Sequence, residues 1–216
     1  MTSETSGRKP RPLQGLQVLE LADEMGVYAG KLLADAGARV IKVEPPGGSA
    51  MRHRGPYLND DPGPDRSLYF AFYNTGKESV TLDLGDEDDR EVARRLASQA
   101  DVVIDGMGLG RLASAGLSYE ALRGDNPGLI WLQITPFGPD GPWASYKTSD
   151  LVALALGGPL FDCGYDDHSI PPIRGGGNQG YAIVSNLAMC AVMVALLWRQ
   201  QSGEGQHIDL SMHDAC

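Results

Sequence analysis

The chain has 216 residues, with 28 acidic against 18 basic side chains and a formal net charge of −10. That balance excludes a broad phosphate-binding face, which needs a basic excess, so nucleic acid is not an expected partner. The length suits one large domain or two small ones with a sizeable core, and the 42% apolar and 21% charged shares are those of a soluble globular chain.

Met1 to Pro12 is polar, carries two prolines and has no apolar run, so it is no secretory signal; residues 1–14 read as a disordered arm. Gly15 to Leu21 reads as a strand, Tyr28 to Ala36 as a helix stopped by Gly37, and Ala38 to Glu44 as a second strand closed by Pro45-Pro46-Gly47-Gly48. Strand, helix and strand within about 30 residues make a βαβ unit with parallel pairing. Ligands of such sheets bind at the carboxyl ends of the strands, here Ala22–Gly26 and Glu44–Arg54. A loop, the aromatic run Leu68–Tyr73 and a turn at Asn74–Lys77 precede a strand at Ser79–Leu84. Asp86 to Ala100 reads as a helix whose acidic first turn complements the helix dipole. Strands at Asp101–Asp105 and Gly128–Thr135, a short helix at Leu117–Leu122 and a helix at Ser149–Gly157 follow. Pro171 to Gly180 is a glycine-rich turn, Ala182 to Trp198 an almost wholly apolar helix, Gly203 its stop and His207–Met212 a last strand. At about 17 residues the apolar run is at the short limit for a membrane span, so it reads as a fully buried core helix, with Cys190 a small core residue. The alternation predicts one α/β domain with a Rossmann-like parallel sheet flanked by helices.

Backbone N–H groups of a glycine run before a helix suit an anion, which makes Gly176 and Gly177 candidate binding residues. Arg39, Lys42, Arg52, Arg54 and Lys77 fall near predicted strand ends, where a local basic group would hold phosphates. Gly175, Gly177 and Gly180, and Gly108, Gly110 and Ala113, match dinucleotide fingerprints by letter, but prolines precede the first set and no acidic strand end follows the second. His53, His168, His207 and His213 form no helical ligand pair, so no metal is expected, and His168 reads as a solvated loop residue. Three cysteines without metal or redox spacing point to a reducing compartment, the cytoplasm.

Several blocks together resemble the family III CoA-transferases. Gly15–Leu21, Leu32–Gly47, Arg52, Ser67–Phe70, Asn74–Lys77, Leu82–Leu84, Ala100–Ile104, Asn126-Pro127, Phe137–Pro142, Gly203–Gln206 and Ser211–Ala215 occur in that family's order. The resemblance implies the large α/β domain of an interlocked dimer over residues 15–216, with the small domain and the C-terminal return absent. It also implies a coenzyme A thioester as substrate and no covalently bound cofactor. In such enzymes an aspartate carboxylate attacks the acyl-CoA thioester to give a mixed anhydride, then an aspartyl-CoA thioester, from which an acceptor carboxylate takes the CoA.

The chain departs from that pattern where the chemistry sits. Spacing back from Gly203 places Tyr181 at the nucleophile's position, and a phenol, with a reference pKa of about 10, cannot form the anhydride. Gly106 and Met107 stand where the family tends to have an asparagine and an aromatic residue that help hold CoA, and Ser114 stands at an arginine position. The turn before the first helix is one residue short, with Met25-Gly26-Val27 for Ala-Gly-Pro, and Ser149 replaces the histidine of the racemase branch. The expectation is a non-catalytic subunit of a hetero-oligomeric CoA-transferase, partnered by a homologous or complementary subunit. Alternatives are a CoA-ester enzyme of altered chemistry using Tyr181 or a loop aspartate (Asp162, Asp166 or Asp167), and a non-enzymatic scaffold.

Overall fold

A computed structural model describes residues 10–167 and 169–216. The expected arm at residues 1–9 and His168 lie outside the described residues. Six parallel strands form one sheet: β1 (Gln17–Leu21), β2 (Arg39–Glu44), β3 (Glu78–Thr81), β4 (Val102–Asp105), β5 (Ile130–Thr135) and β6 (His207–Ser211). Their spatial order is β3-β2-β1-β4-β5-β6, so the direction of winding reverses between β1 and β4. The helices are α1 (Glu24–Asp35), α2 (Leu68–Asn74), α3 (Glu87–Gln99), α4 (Arg111–Ser114), α5 (Tyr119–Leu122), α6 (Asp150–Gly157), α7 (Gln179–Ser202) and α8 (Met212–Ala215).

Burial on both faces explains the near-continuous apolar runs of the inner strands β1, β4 and β5, while the edge strands β3 and β6 stay partly exposed. Alternate residues feed two cores. Val18, Val40, Val102, Ile104, Ile130 and Leu132 face α1 and α7, while Leu19, Leu21, Val103 and Trp131 face α3, α4 and α5. Side-chain caps fix several helix starts. Ser67, Asp86, Ser118 and Ser149 each accept a hydrogen bond from a backbone N–H of the first turn, and the Asp86 cap takes two, from Asp88 and Asp89. The acidic opening of α3 is thus a cap, as its position suggests.

Three expectations change. Disorder does not extend over all of residues 1–14 as expected: Leu13 is buried, and its N–H donates to the Ala36 carbonyl at 3.0 Å. Helix α1 begins at Glu24 rather than Tyr28, with a kink where Met25 and Gly26 leave helical geometry and Gly26 takes φ 114°. Helix α7 is half-buried, not fully buried. Gly180, Val184, Ser185, Ala188, Val192, Ala195 and Leu196 form the inward face, while Leu187, Cys190, Val194, Leu197 and Trp198 are exposed. An almost wholly apolar sequence has no polar face by which composition would show which side is covered.

Candidate functional site at the carboxyl edge of the sheet

The expected basic residues do not converge. Lys42 and Lys77 are buried on either side of Glu20, itself fully buried, at 3.1 Å and 2.6 Å. Lys42 also donates to the Ala22 carbonyl, and Lys77 donates to the Val27 carbonyl at 2.8 Å. Burial pulls the Lys77 ammonium down to about 8, although Glu20 opposes the shift. A Cβ on Gly30 would fall 1.7 Å from Glu20 Oε2, so only glycine lets α1 approach this network. Arg52 forks onto Glu44 at 2.6 Å and 2.8 Å. Burial alone would raise the Glu44 carboxyl, but hydrogen bonds from Arg52, Ser79 and the Ser49 N–H hold it down at about 2. Arg39, at the start of β2, forks onto Glu78 at the start of β3, the opposite edge of the sheet from the strand ends.

Above the carboxyl ends of β1, β2 and β4 lies a cavity of about 620 Å³. It sits where the strand order reverses, the usual ligand crevice of an open parallel sheet. Ala22, Asp23, Gly106, Met107 and Arg111 are among its lining residues, and Arg111 is the one basic side chain among them. Two departures noted in the sequence are physically one. A Cβ at Gly106 would lie 1.9 Å from the Met25 carbonyl oxygen, so the kinked start of α1 leaves no room for a side chain there. Gly108 and Gly110, the letter-match to a dinucleotide fingerprint, take φ 94° and 73° and turn the chain into α4. Asp105, at the end of β4, is 4% exposed and lines a separate pocket of about 110 Å³ with Gln133 and Trp131. Burial pushes its carboxyl up to about 6 against hydrogen bonds from the Met107 N–H and Gln133.

A second, smaller pocket of about 190 Å³ opens at the amino end of α7 and includes Tyr181. Here the sequence reading missed the main polar residue. Asp150, 5% exposed at the start of α6, accepts from the Gly180 N–H at 2.7 Å and the Tyr181 N–H at 3.3 Å. Its other oxygen accepts from Arg174 at 3.1 Å. An internal carboxylate therefore already satisfies the helix terminus that the glycine run was expected to offer to an anion. Gly176 and Gly177 contribute carbonyls instead, accepting from Gln179 at 2.7 Å and Arg174 at 2.9 Å. Tyr181 is half-buried, and burial, then the Asp150 charge, raise its phenol while Arg54 opposes the shift. Asp162, Asp166 and Asp167 are exposed in the loop between α6 and α7. Asp150 was legible only as the first residue after the Ser149 cap; its role depends on a contact across 30 residues of chain.

The CoA-transferase family III matches this chain over residues 13–216. A Thauera aromatica protein, succinyl-CoA:(R)-benzylsuccinate CoA-transferase subunit BbsE, is 39% identical over 92% of the chain and 48% of its own length. Acetyl-CoA:oxalate CoA-transferase of Acetobacter aceti is 39% identical over 98% of the chain and 54% of its own length. A crystal structure of a CaiB/BaiF family protein from Brucella suis superposes with a TM-score of 0.87 at 37% identity, over 96% of this chain and 55% of that one. The chain spans about half the length of the curated relatives it matches. With the parallel sheet, the cavity at its reversal point and the helix tip in the expected order, the chain belongs to the CoA-transferase family III.

Proposed function

We propose that this chain acts in CoA transfer between carboxylic acids as a member that carries no nucleophile of its own. It would work in the cytoplasm beside a homologous or complementary subunit that supplies the carboxylate. One observation carries the reading: the side chain at the tip of α7 is the phenol of Tyr181, and the buried carboxylate beside it, Asp150, has both oxygens engaged. A carboxylate with its oxygens bound to N–H donors and a guanidinium is a weak nucleophile, and a phenol whose ionisation is pushed up is a weaker one still. The cavity over β1, β2 and β4 offers the nucleotide portion of a CoA thioester a place, with Arg111 the guanidinium nearest to hand for a phosphate. Arg39, Lys42, Lys77 and Arg52 have carboxylate partners already, so their support for CoA is indirect, through the shape of the strand ends. The exposed positions of Asp162, Asp166 and Asp167 give the loop-aspartate alternative no support.

The test uses the purified chain alone and together with a longer homologue that keeps Gly-Asp at this position. Expected is CoA transfer from succinyl-CoA to an acceptor acid only in the mixture, with this chain raising the rate. Transfer by the isolated chain would sink the reading, as would a mixture no faster than the longer homologue alone.

A further inference from the structure

The cavity over β1, β2 and β4 is furnished for fewer phosphates than a whole CoA carries. Its charged lining residues are Arg111, Asp23 and Asp83. We propose that it selects a nucleotide with a pyrophosphate and free ribose hydroxyls, such as dephospho-CoA, over one with a phosphate on the ribose, and that Asp83 discriminates between them. The inference rests on the reading of this cavity as the place for the nucleotide portion of a CoA thioester, and narrows that reading.

The placement of Asp83 is the first argument. It lies just past the carboxyl end of β3. One of its oxygens accepts from the Gly85 N–H at 2.8 Å, which holds the side chain at the cavity wall. The other accepts no hydrogen bond among the described residues, and Asp83 is exposed. A carboxylate only accepts, so it fits a ribose hydroxyl, which donates, and opposes an ionised phosphate, which has no proton to give. Nucleotide sites at the switch point of an open parallel sheet follow the same logic: an acidic side chain takes a ribose hydroxyl, and an arginine takes a ribose phosphate.

Charge supply is the second. A phosphate monoester carries about −1.5 to −2 charges at pH 7. Arg111 is exposed and offers one planar fork, enough for the pyrophosphate. The neighbouring cations are committed elsewhere. Lys42 is held by Glu20 at 3.1 Å and Asp23 at 3.7 Å, and Arg52 forks onto Glu44. Arg90 spends Nη1 on the Leu84 and Gly85 carbonyls, at 3.2 Å and 2.8 Å, and is not among the cavity's lining residues. More negative charge stands beside Asp83: Asp89, in the acidic first turn of α3, accepts from the Asp83 N–H at 2.8 Å. A ribose phosphate on that side meets like charge with no cation to answer it.

Calorimetric titration of the full chain with dephospho-CoA and with CoA compares two ligands that differ by the ribose phosphate alone. Dephospho-CoA is expected to bind at least about tenfold tighter at low salt. The gap should narrow as salt rises, because the repulsion acts between exposed charges. Asp83→Asn keeps an acceptor for the Gly85 N–H and removes the charge, so it should erase most of the preference by tightening CoA. Should that variant fail to fold, the salt series on the native chain decides. CoA bound as tightly as dephospho-CoA, a preference unmoved by salt, or one that survives Asp83→Asn overturns the proposal and leaves the CoA reading standing. Binding of neither ligand removes the CoA reading of the cavity, and this inference with it.

Discussion

The carboxyl edge of this sheet carries two concave regions furnished in opposite ways. At the tip of α7 the pocket is small and dense in charge, and each cation has a carboxylate beside it. Over β1, β2 and β4 the cavity is about three times larger, mainly backbone and apolar side chains, with Arg111 its one basic residue. The contrast separates chemistry from shape. The tip's chemistry hangs on single side chains, and the Tyr181 phenol there stands on a helix whose first N–H groups are met by Asp150. The cavity's shape hangs on close backbone approaches such as Met25 to Gly106, where any side chain would intrude.

The largest way to break the contrast is to disturb the charge network beneath the cavity wall. Glu20→Gln leaves Lys77 buried without its carboxylate and Lys42 with only Asp23, at 3.7 Å. Removing one partner of such a network costs about 3–5 kcal/mol. Chemical denaturation should show a loss of that order together with weaker CoA binding, because Lys42 holds Ala22 on the cavity lining.

A smaller effect, of opposite sign, belongs to Asp105. Its folded pKa, about 6, lies above the reference value of 3.8. The folded state therefore favours the protonated acid. The associated stability is fully present below about pH 4 and is lost as pH rises through about 6. Asp105→Asn keeps the acceptor for the Met107 N–H and removes the charge. It should stabilise the fold by up to about 3 kcal/mol at pH 7.5 and by almost nothing at pH 4. Thermal melts across that range check both limits; a destabilised variant at pH 7.5 would mean that the ionised carboxylate is compensated in the fold.

The two regions also differ in how far the sequence reveals them. The inner strands β1, β4 and β5 follow from short, mainly apolar runs, because a parallel strand buried on both faces has little polar alternation, whereas the edge strands β3 and β6 keep exposed polar residues such as Glu78 and Asp209 and are read by alternation. Gly106 and Met25-Gly26-Val27 stand out one at a time in the sequence, and their coupling needs the contact between α1 and the end of β4. The basic residues are harder to place. Lys42 sits in a strand whose alternation carries it inward, and its partner Glu20 looks like an ordinary β1 residue until the register pairs the two directly. Asp150 and Arg174 meet only when the glycine run folds back over α6, a long-range event without a local pattern. Helix α7 carries no polar stripe, so its exposed Val194 and Trp198 read as core by letter alone.

The central claim is that this chain does not itself form a covalent bond to the transferred group. Intact-mass spectrometry of the purified chain after incubation with succinyl-CoA tests it directly, because both the mixed anhydride and the aspartyl-CoA thioester add mass to the protein that forms them. The account predicts an unmodified mass for the native chain and a CoA-sized or succinyl-sized adduct for Tyr181→Asp, where the carboxylate returns to the tip of α7. An adduct on the native chain, mapped to Tyr181, Asp150 or a loop aspartate, would contradict it.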